Sequence, residues 1–475
     1  MDTPLSRRDL IAGLAGSAAL ASPLVRAASA AGKPTSSAAL ALLDQLAWQL
    51  LELAPGGATS LGVDTGAHAA LRGRLDDRSF AGVEKRRRFL GAALQRLAGL
   101  RRETLDIGTL TSVAVVESAF HTALEGMSLP YGDATIGGWR NTPYVVVQNV
   151  GGYLDLPAML DGSQPVRDRA DAEAWLARLE AFPALLDGEL ERIRTARAAH
   201  VVPPDFLLDK TIDTLSRSIA DAASPAGPLV GSLVKKAHEA NIAGDWEGRA
   251  TAIATARIVP ALERQLAEIK AQRAVATNDA GMLKRPHGEE WYAWGLRAST
   301  TTRRTPEDLH AMGVAQLAEL DARMDVILKS FGLTQGTVGA RAIELQKRAD
   351  LNFATDDAGR AQIMAYMQGR LDAMRPLLPR AFRTLTRGNL EIRRMPAAQE
   401  PGAPAAFGGP GSIDGILPGK IWVNLGDTLI HNKVTIPDLV FHEGIPGHVW
   451  QGEYAQKLPL IRSMLSFNAY SEGWA

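Results

Sequence analysis

"FHEGIPGHVW", residues 441–450, is the stretch on which the architecture turns. Just upstream, Thr435-Ile436-Pro437-Asp438 reads as a helix start: Thr435 caps, a proline is tolerated in the first turn, and an acid follows three residues after the threonine. His442 and Glu443 then fall about two turns into that helix. In the pattern H-E-x-x-H the two histidines share one helix face and can hold a metal ion, but here the second histidine, His448, comes six residues after the first. Six residues rotate a regular helix by about 600°, which leaves His448 about 240° away from His442. A straight helix cannot bring the pair together. The sequence supplies its own break: Pro446 meets the carbonyl of His442 and removes the N–H that this carbonyl expects, while Gly447 permits angles that other residues resist. A kink or bulge at Pro446-Gly447 is expected to return His448 to the face of His442.

Outward from this stretch, "NLEIRRMP" (389–396) alternates like a strand, a Pro/Gly-rich run follows (396–419), and "KIWVNL" (420–425) reads as a second strand. From about Ser37 to Arg387 the pattern is helical. "ALALLDQLAWQLLEL" (39–53) places Leu42, Leu46, Leu50 and Leu53 on one stripe, and the segment 171–200 is helical with an interruption at Pro183. The segment 305–332 starts on Thr305-Pro306-Glu307-Asp308, where Thr305 caps and the acids suit the positive helix end, and it stops at Gly332. A further helix is expected over 356–382, ending near its prolines. The expected fold is mainly α: a large helical body (31–385) with a small antiparallel β-sheet beside the kinked metal-binding helix (386–475), in a single domain.

With 475 residues, 46% hydrophobic and 22% charged, the composition is that of an ordinary globular protein. Basic and acidic residues number 52 each, so no bulk charge points to nucleic acid or an anionic membrane surface, and the basic run at 84–103 reads as a solvated helix face. The absence of cysteine removes disulfides, thiolate ligands, cysteine nucleophiles and a lipoprotein anchor. At the N-terminus, Arg7 and Arg8 precede an apolar stretch from Ile11 to Val25 and the small-residue site Ala28-Ser29-Ala30. This resembles a twin-arginine export signal, cleaved after Ala30, and implies a periplasmic protein without a membrane anchor.

"HEGIPGHVWQ", with "LPGKIWVNL" before it and "YSEGWA" after it, resembles the bacterial domain-of-unknown-function family 885 (DUF885), whose members carry H-E-x-x-P-G-H-H and then E-G-W-A. Support extends upstream through "TTTRRTPEDLHAMG" (300–313) and "YLDLPAMLDG" (153–162). The family is grouped with zinc metallopeptidases that use a glutamate as third ligand. The resemblance implies His442, His448 and Glu472 as ligands of one Zn2+ per chain, with Glu443 as general base. Val449 stands where the family has a further histidine, which leaves His448 for the role. Two imidazoles and a carboxylate would give zinc three ligands and leave a fourth position for water. The strand Lys420 to Leu425 resembles the edge strand on which zinc peptidases lay an extended substrate, so Ile421, Trp422, Val423 and Asn424 are the expected contacts for a short peptide. Tyr470 is read as an aromatic support rather than an oxyanion donor, and His431 as a surface loop histidine. Family members continue past Ala475, and on that resemblance the chain is read as C-terminally truncated, with weakened zinc retention and low activity. A non-catalytic periplasmic binding protein derived from a peptidase is the alternative. Two other motifs are weak: Ser232-Leu233-Val234-Lys235 has the S-x-x-K spacing without a K-T-G companion, and "GILPGK" (415–420) is too short for a phosphate loop.

Overall fold

A computed structural model describes residues 34–137, 141–397, 400 and 403–475; the export signal expected at residues 1–30 lies outside them. The helical body begins with α1 (Pro34–Leu53), α2 (Pro55–Leu61), α3 (Phe80–Ala98) and α4 (Ile107–Gly126). The buried stripe of α1 is Leu43, Leu46, Ala47 and Leu50, which shares Leu46 and Leu50 with the stripe expected while Leu42 is only partly buried, and it packs against Leu90, Leu94, Val113, Val116 and Phe120. α4 is long and apolar enough to cross a membrane, and its burial of Val113, Val116, Phe120 and Ala123 accounts for that hydropathy as a core helix.

A second core joins α5 (Gly152–Gly162), α6 (Arg169–Ala198), α7 (Asp205–Ala222), α8 (Gly231–Glu239) and α9 (Val259–Arg273). Contrary to expectation, α6 runs through Pro183 without a break. Trp175, Leu179, Phe182 and Leu186 are buried on both sides of the proline, so packing holds the axis across the one hydrogen bond that the ring removes. Next come α10 (Gly288–Thr300), then α11 (Pro306–Ser330) and α12 (Val338–Gln346), a hairpin closed by an Arg341–Asp325 ion pair of 2.6 Å. α11 begins as its sequence dictates, with the Thr305 side chain accepting from the Asp308 N–H and Pro306 in the first turn. α13 (Asp357–Met374) leads to the sheet.

The sheet consists of β1 (Leu390–Arg394), β2 (Ala406–Gly409) and β3 (Gly419–Val423), in the order β1-β3-β2. It is mixed, not antiparallel: β2 and β3 form an antiparallel hairpin, whereas β1 runs parallel to β3. β2 lies on one side of β3 and β1 on the other. One sheet face packs through Ala406, Ile421 and Val423 onto α14 (Thr435–Glu443) and α15 (His448–Ala455), joined in the same core by Ile436, Val440, Ile445 and Trp450. The last helix is α16 (Asn468–Trp474).

Candidate metal centre

α14 is capped from outside its first turn: the Asn432 side-chain oxygen accepts from the N–H groups of Val434 and Thr435 at 2.9 and 3.0 Å, while Thr435 itself is the first helical residue and does not cap. The helix ends at Glu443, and α15 restarts at His448. The expected kink is thus a complete interruption, with a cis Ile445-Pro446 bond inside it. The Gly447 N–H bonds back to the Phe441 carbonyl at 2.9 Å, and a side chain on Gly447 would collide with the carbonyls of Phe441 and His442. Glycine is required there by close backbone approach.

The break brings the two imidazoles together, with ring centroids 4.7 Å apart and planes at 82°. The Glu472 carboxylate reaches both: Oε2 lies 3.3 Å from His442 Nε2 and 3.6 Å from His448 Nε2. Ligand atoms of His442, Glu443 and His448 all lie within 4.8 Å of one another. Metal bonds of about 2.0–2.1 Å in a tetrahedron place neighbouring ligand atoms about 3.3 Å apart, and the two Glu472–imidazole separations of 3.3 and 3.6 Å are close to that spacing.

Glu472 comes from the short α16, which is held at several points. The Ser471 hydroxyl bonds Gln451 on α15 at 3.1 Å, Ser299 on α10 bonds Asn468 at 3.1 Å, and the Trp474 indole N–H donates to the Pro446 carbonyl at 2.8 Å. Trp474 thereby ties the helix carrying the carboxylate to the interruption between the histidines.

Glu443 is buried, with its side chain 11% exposed. Burial pushes its carboxyl up from the ordinary value and the Glu472 carboxylate adds to this, while the charge of His442 opposes it. Burial likewise lowers the His448 imidazole, which favours the neutral form that binds metal. β2 adjoins Glu443 so closely that a side chain at Gly408 would strike the Glu443 carbonyl.

Other expected contacts fall elsewhere. β3 is the middle strand, so it has no free edge for a substrate; Ile421 and Val423 are fully buried in the core, and the Asn424 amide is spent on the Glu400 carbonyl at 2.7 Å. Trp422 alone of the four faces a cleft. The free edge nearest Glu443 belongs to β2, hidden in the sequence within a run of prolines and glycines; the Phe-Gly-Gly after two alanines was its only signal. Tyr470 is 63% exposed, which does not suit an aromatic support. His431 is buried, not at the surface, because the loop before α14 folds its ring onto the Asn424 carbonyl at 2.6 Å, and burial lowers its pKa. Ser232 donates to Asp161 at 2.7 Å whereas Lys235 lies 4.0 Å from Glu239, so the S-x-x-K spacing builds no nucleophile–base pair.

A family model described as "Bacterial protein of unknown function (DUF885)" matches residues 55–475. Two solved structures are similar in fold. One is described as a "putative lipoprotein" from Colwellia psychrerythraea, at TM-score 0.84 and 22% identity over 93% of this chain and 77% of that one. The other is described as a "putative lipoprotein of unknown function" from Shewanella oneidensis, at TM-score 0.58 and 15% identity over 91% and 75%. No curated protein matches the sequence.

Proposed function

We propose, for a chain that belongs to the DUF885 family of bacterial proteins of unknown function, a zinc-dependent hydrolase that cleaves peptide bonds of short peptides. The observation that carries this reading is the contact of one Glu472 carboxylate oxygen with Nε2 of both His442 and His448, beside a buried Glu443. His442, His448 and Glu472 would hold the ion. The chemistry supplied by zinc when bound is Lewis-acid polarisation of the peptide carbonyl and acidification of a water to a pKa of about 7. Glu443 accepts the proton of the attacking water and returns it to the departing amine, a task that a carboxyl raised by burial serves in both directions. The Gly408 backbone packs directly against the backbone of Glu443. The Asn424 N–H donates to the Ala405 carbonyl, so in the antiparallel alternation Gly408, three residues on, turns its N–H and C=O to the free edge, where they can pair with an extended peptide laid along β2.

The two solved relatives are described as lipoproteins, which favours an exported protein, and the Arg7-Arg8 signal cleaved after Ala30 directs this chain to the periplasm. Without cysteine the chain has no residue to carry a lipid anchor.

Elemental analysis of purified protein tests the centre: one zinc per chain in the wild type, lost in Glu472→Ala and in His448→Ala, is the expected result. No zinc in the wild type would overturn the reading. Zinc without turnover of any short peptide would assign instead a binding protein built on a peptidase fold.

A further inference from the structure

The sheet face opposite the metal helices borders a second feature. Between this face and the C-terminal half of α5 lies a cleft of about 200 Å³, lined by Pro157, Pro396, Phe407, Pro410, Leu417 and Trp422 among others. Phe407 and Trp422 form its aromatic wall, with ring centroids 6.4 Å apart. Phe407 is 41% exposed, and a side chain added at Gly409 would meet nothing within 4 Å, so the cleft stays open beside the strand. Gly408 belongs both to the lining of this cleft and to the backbone packed against Glu443. An extended chain paired to the edge of β2 sends alternate side chains to the two faces of the sheet. One face is filled by α14 and α15; the other opens into the cleft.

The charged groups around the cleft are unequal. Lys420 donates to the Gly162 carbonyl at 2.7 Å, and Lys236 donates to the carbonyls of Leu160, Asp161 and Gln164 at 2.7–2.9 Å. These two, with Arg393 and Lys235, outnumber Asp161, Glu391 and Glu239, of which Glu391 pairs with Arg393 and Glu239 with Lys235. A cationic side chain entering the cleft meets net repulsion, whereas an apolar ring meets Phe407, Trp422 and the prolines.

We propose that this cleft is the side-chain subsite of the peptidase, selecting a large apolar or aromatic residue next to the scissile bond and rejecting lysine and arginine. The inference rests on the peptidase reading and adds its substrate class. Its test uses acetyl-Ala-X-Ala-amide peptides with X = Ala, Phe or Lys. Binding to the metal-free full chain is followed by tryptophan fluorescence, and hydrolysis by the zinc-loaded chain is measured in parallel. The expected result is binding of the Phe peptide at least about tenfold tighter than the Ala peptide, with the Lys peptide weakest. Gly409→Val, which adds bulk into open space without a clash, and Trp422→Leu should each reduce the Phe/Ala ratio to below about threefold, with an unchanged unfolding midpoint confirming a folded Gly409→Val protein. Lys420→Met should narrow the gap between the Lys and Ala peptides. Equal binding of all three peptides, or a ratio unchanged in both Gly409→Val and Trp422→Leu, would overturn the subsite. The two ideas fail separately: a Phe preference in binding without hydrolysis supports the subsite and removes the peptidase, whereas hydrolysis indifferent to X removes the subsite and leaves the peptidase.

Discussion

At the scale of single residues, the proposed chemistry divides between groups that hold a metal and one that moves a proton. Glu443 lies 3.9 Å from His442 Nε2, farther than Glu472, and is the more buried of the two carboxylates. Glu443→Gln keeps the shape and removes the basic oxygen. It should retain zinc at the wild-type ratio while kcat falls by about 10²–10⁴; loss of zinc in this variant, read by elemental analysis, would mean that Glu443 is a ligand instead. The sequence exposed His442, Glu443 and Pro446-Gly447 directly, because a proline and a glycine between two histidines are a local matter of backbone geometry. Glu472 was legible only through its motif, since a glutamate in a short helix carries no signal of its own. The packing of Gly408 on Glu443 and the Trp474–Pro446 bond were not legible at all, because each joins residues far apart in the chain.

At the scale of elements, helix ends and interruptions do most of the positioning. Gly447→Ala pushes a Cβ against the carbonyls of Phe441 and His442. The expected outcome is a loss of about 1–3 kcal/mol in urea unfolding, together with weaker zinc retention, because the strain falls between the two histidines. α4 offers a pH-dependent counterpart. Its N-cap Asp106 accepts from both the N–H and the hydroxyl of Thr109, at 3.0 and 2.6 Å, and these bonds hold its pKa at about 2, below the unfolded value of 3.8. A carboxyl depressed by folding contributes stability that is present above the unfolded pKa and lost as pH falls through the folded one. Asp106→Asn preserves the cap without the charge. The stability difference between wild type and Asp106→Asn, measured by urea unfolding, should therefore shrink between pH 5 and pH 2.5; a constant difference would show that the Asp106 charge adds nothing.

At the scale of the whole molecule, burial separates helices that share one kind of sequence. Leu179 on α6 is fully buried in the core of the body, whereas Leu320 on α11 is 49% exposed, with Leu317 at 60% and Ile327 at 55% along the same helix. Leu179→Ala should cost about 2–5 kcal/mol. Leu320→Gln should stay within about 0.5 kcal/mol, since no cavity forms. Thermal unfolding of the two variants checks both values, and a large loss in Leu320→Gln would mean that a partner surface covers α11 in solution.

The sequence by itself determined the helical body, the start of α11, the interruption near Pro446-Gly447 and the presence of a small sheet, because periodicity, caps and the missing proline N–H act within a few residues. Only the tertiary structure decided the rest. It set β3 in the middle of a mixed sheet and β2 at the edge beside Glu443, since strand order depends on which face the helices fill and not on any strand's own residues. It carried α6 straight through Pro183, because packing on both sides outweighs one lost hydrogen bond. It also brought Glu472, 24 residues beyond His448, onto both imidazoles, a meeting fixed by the side chains that clamp α16 and by nothing in the local sequence.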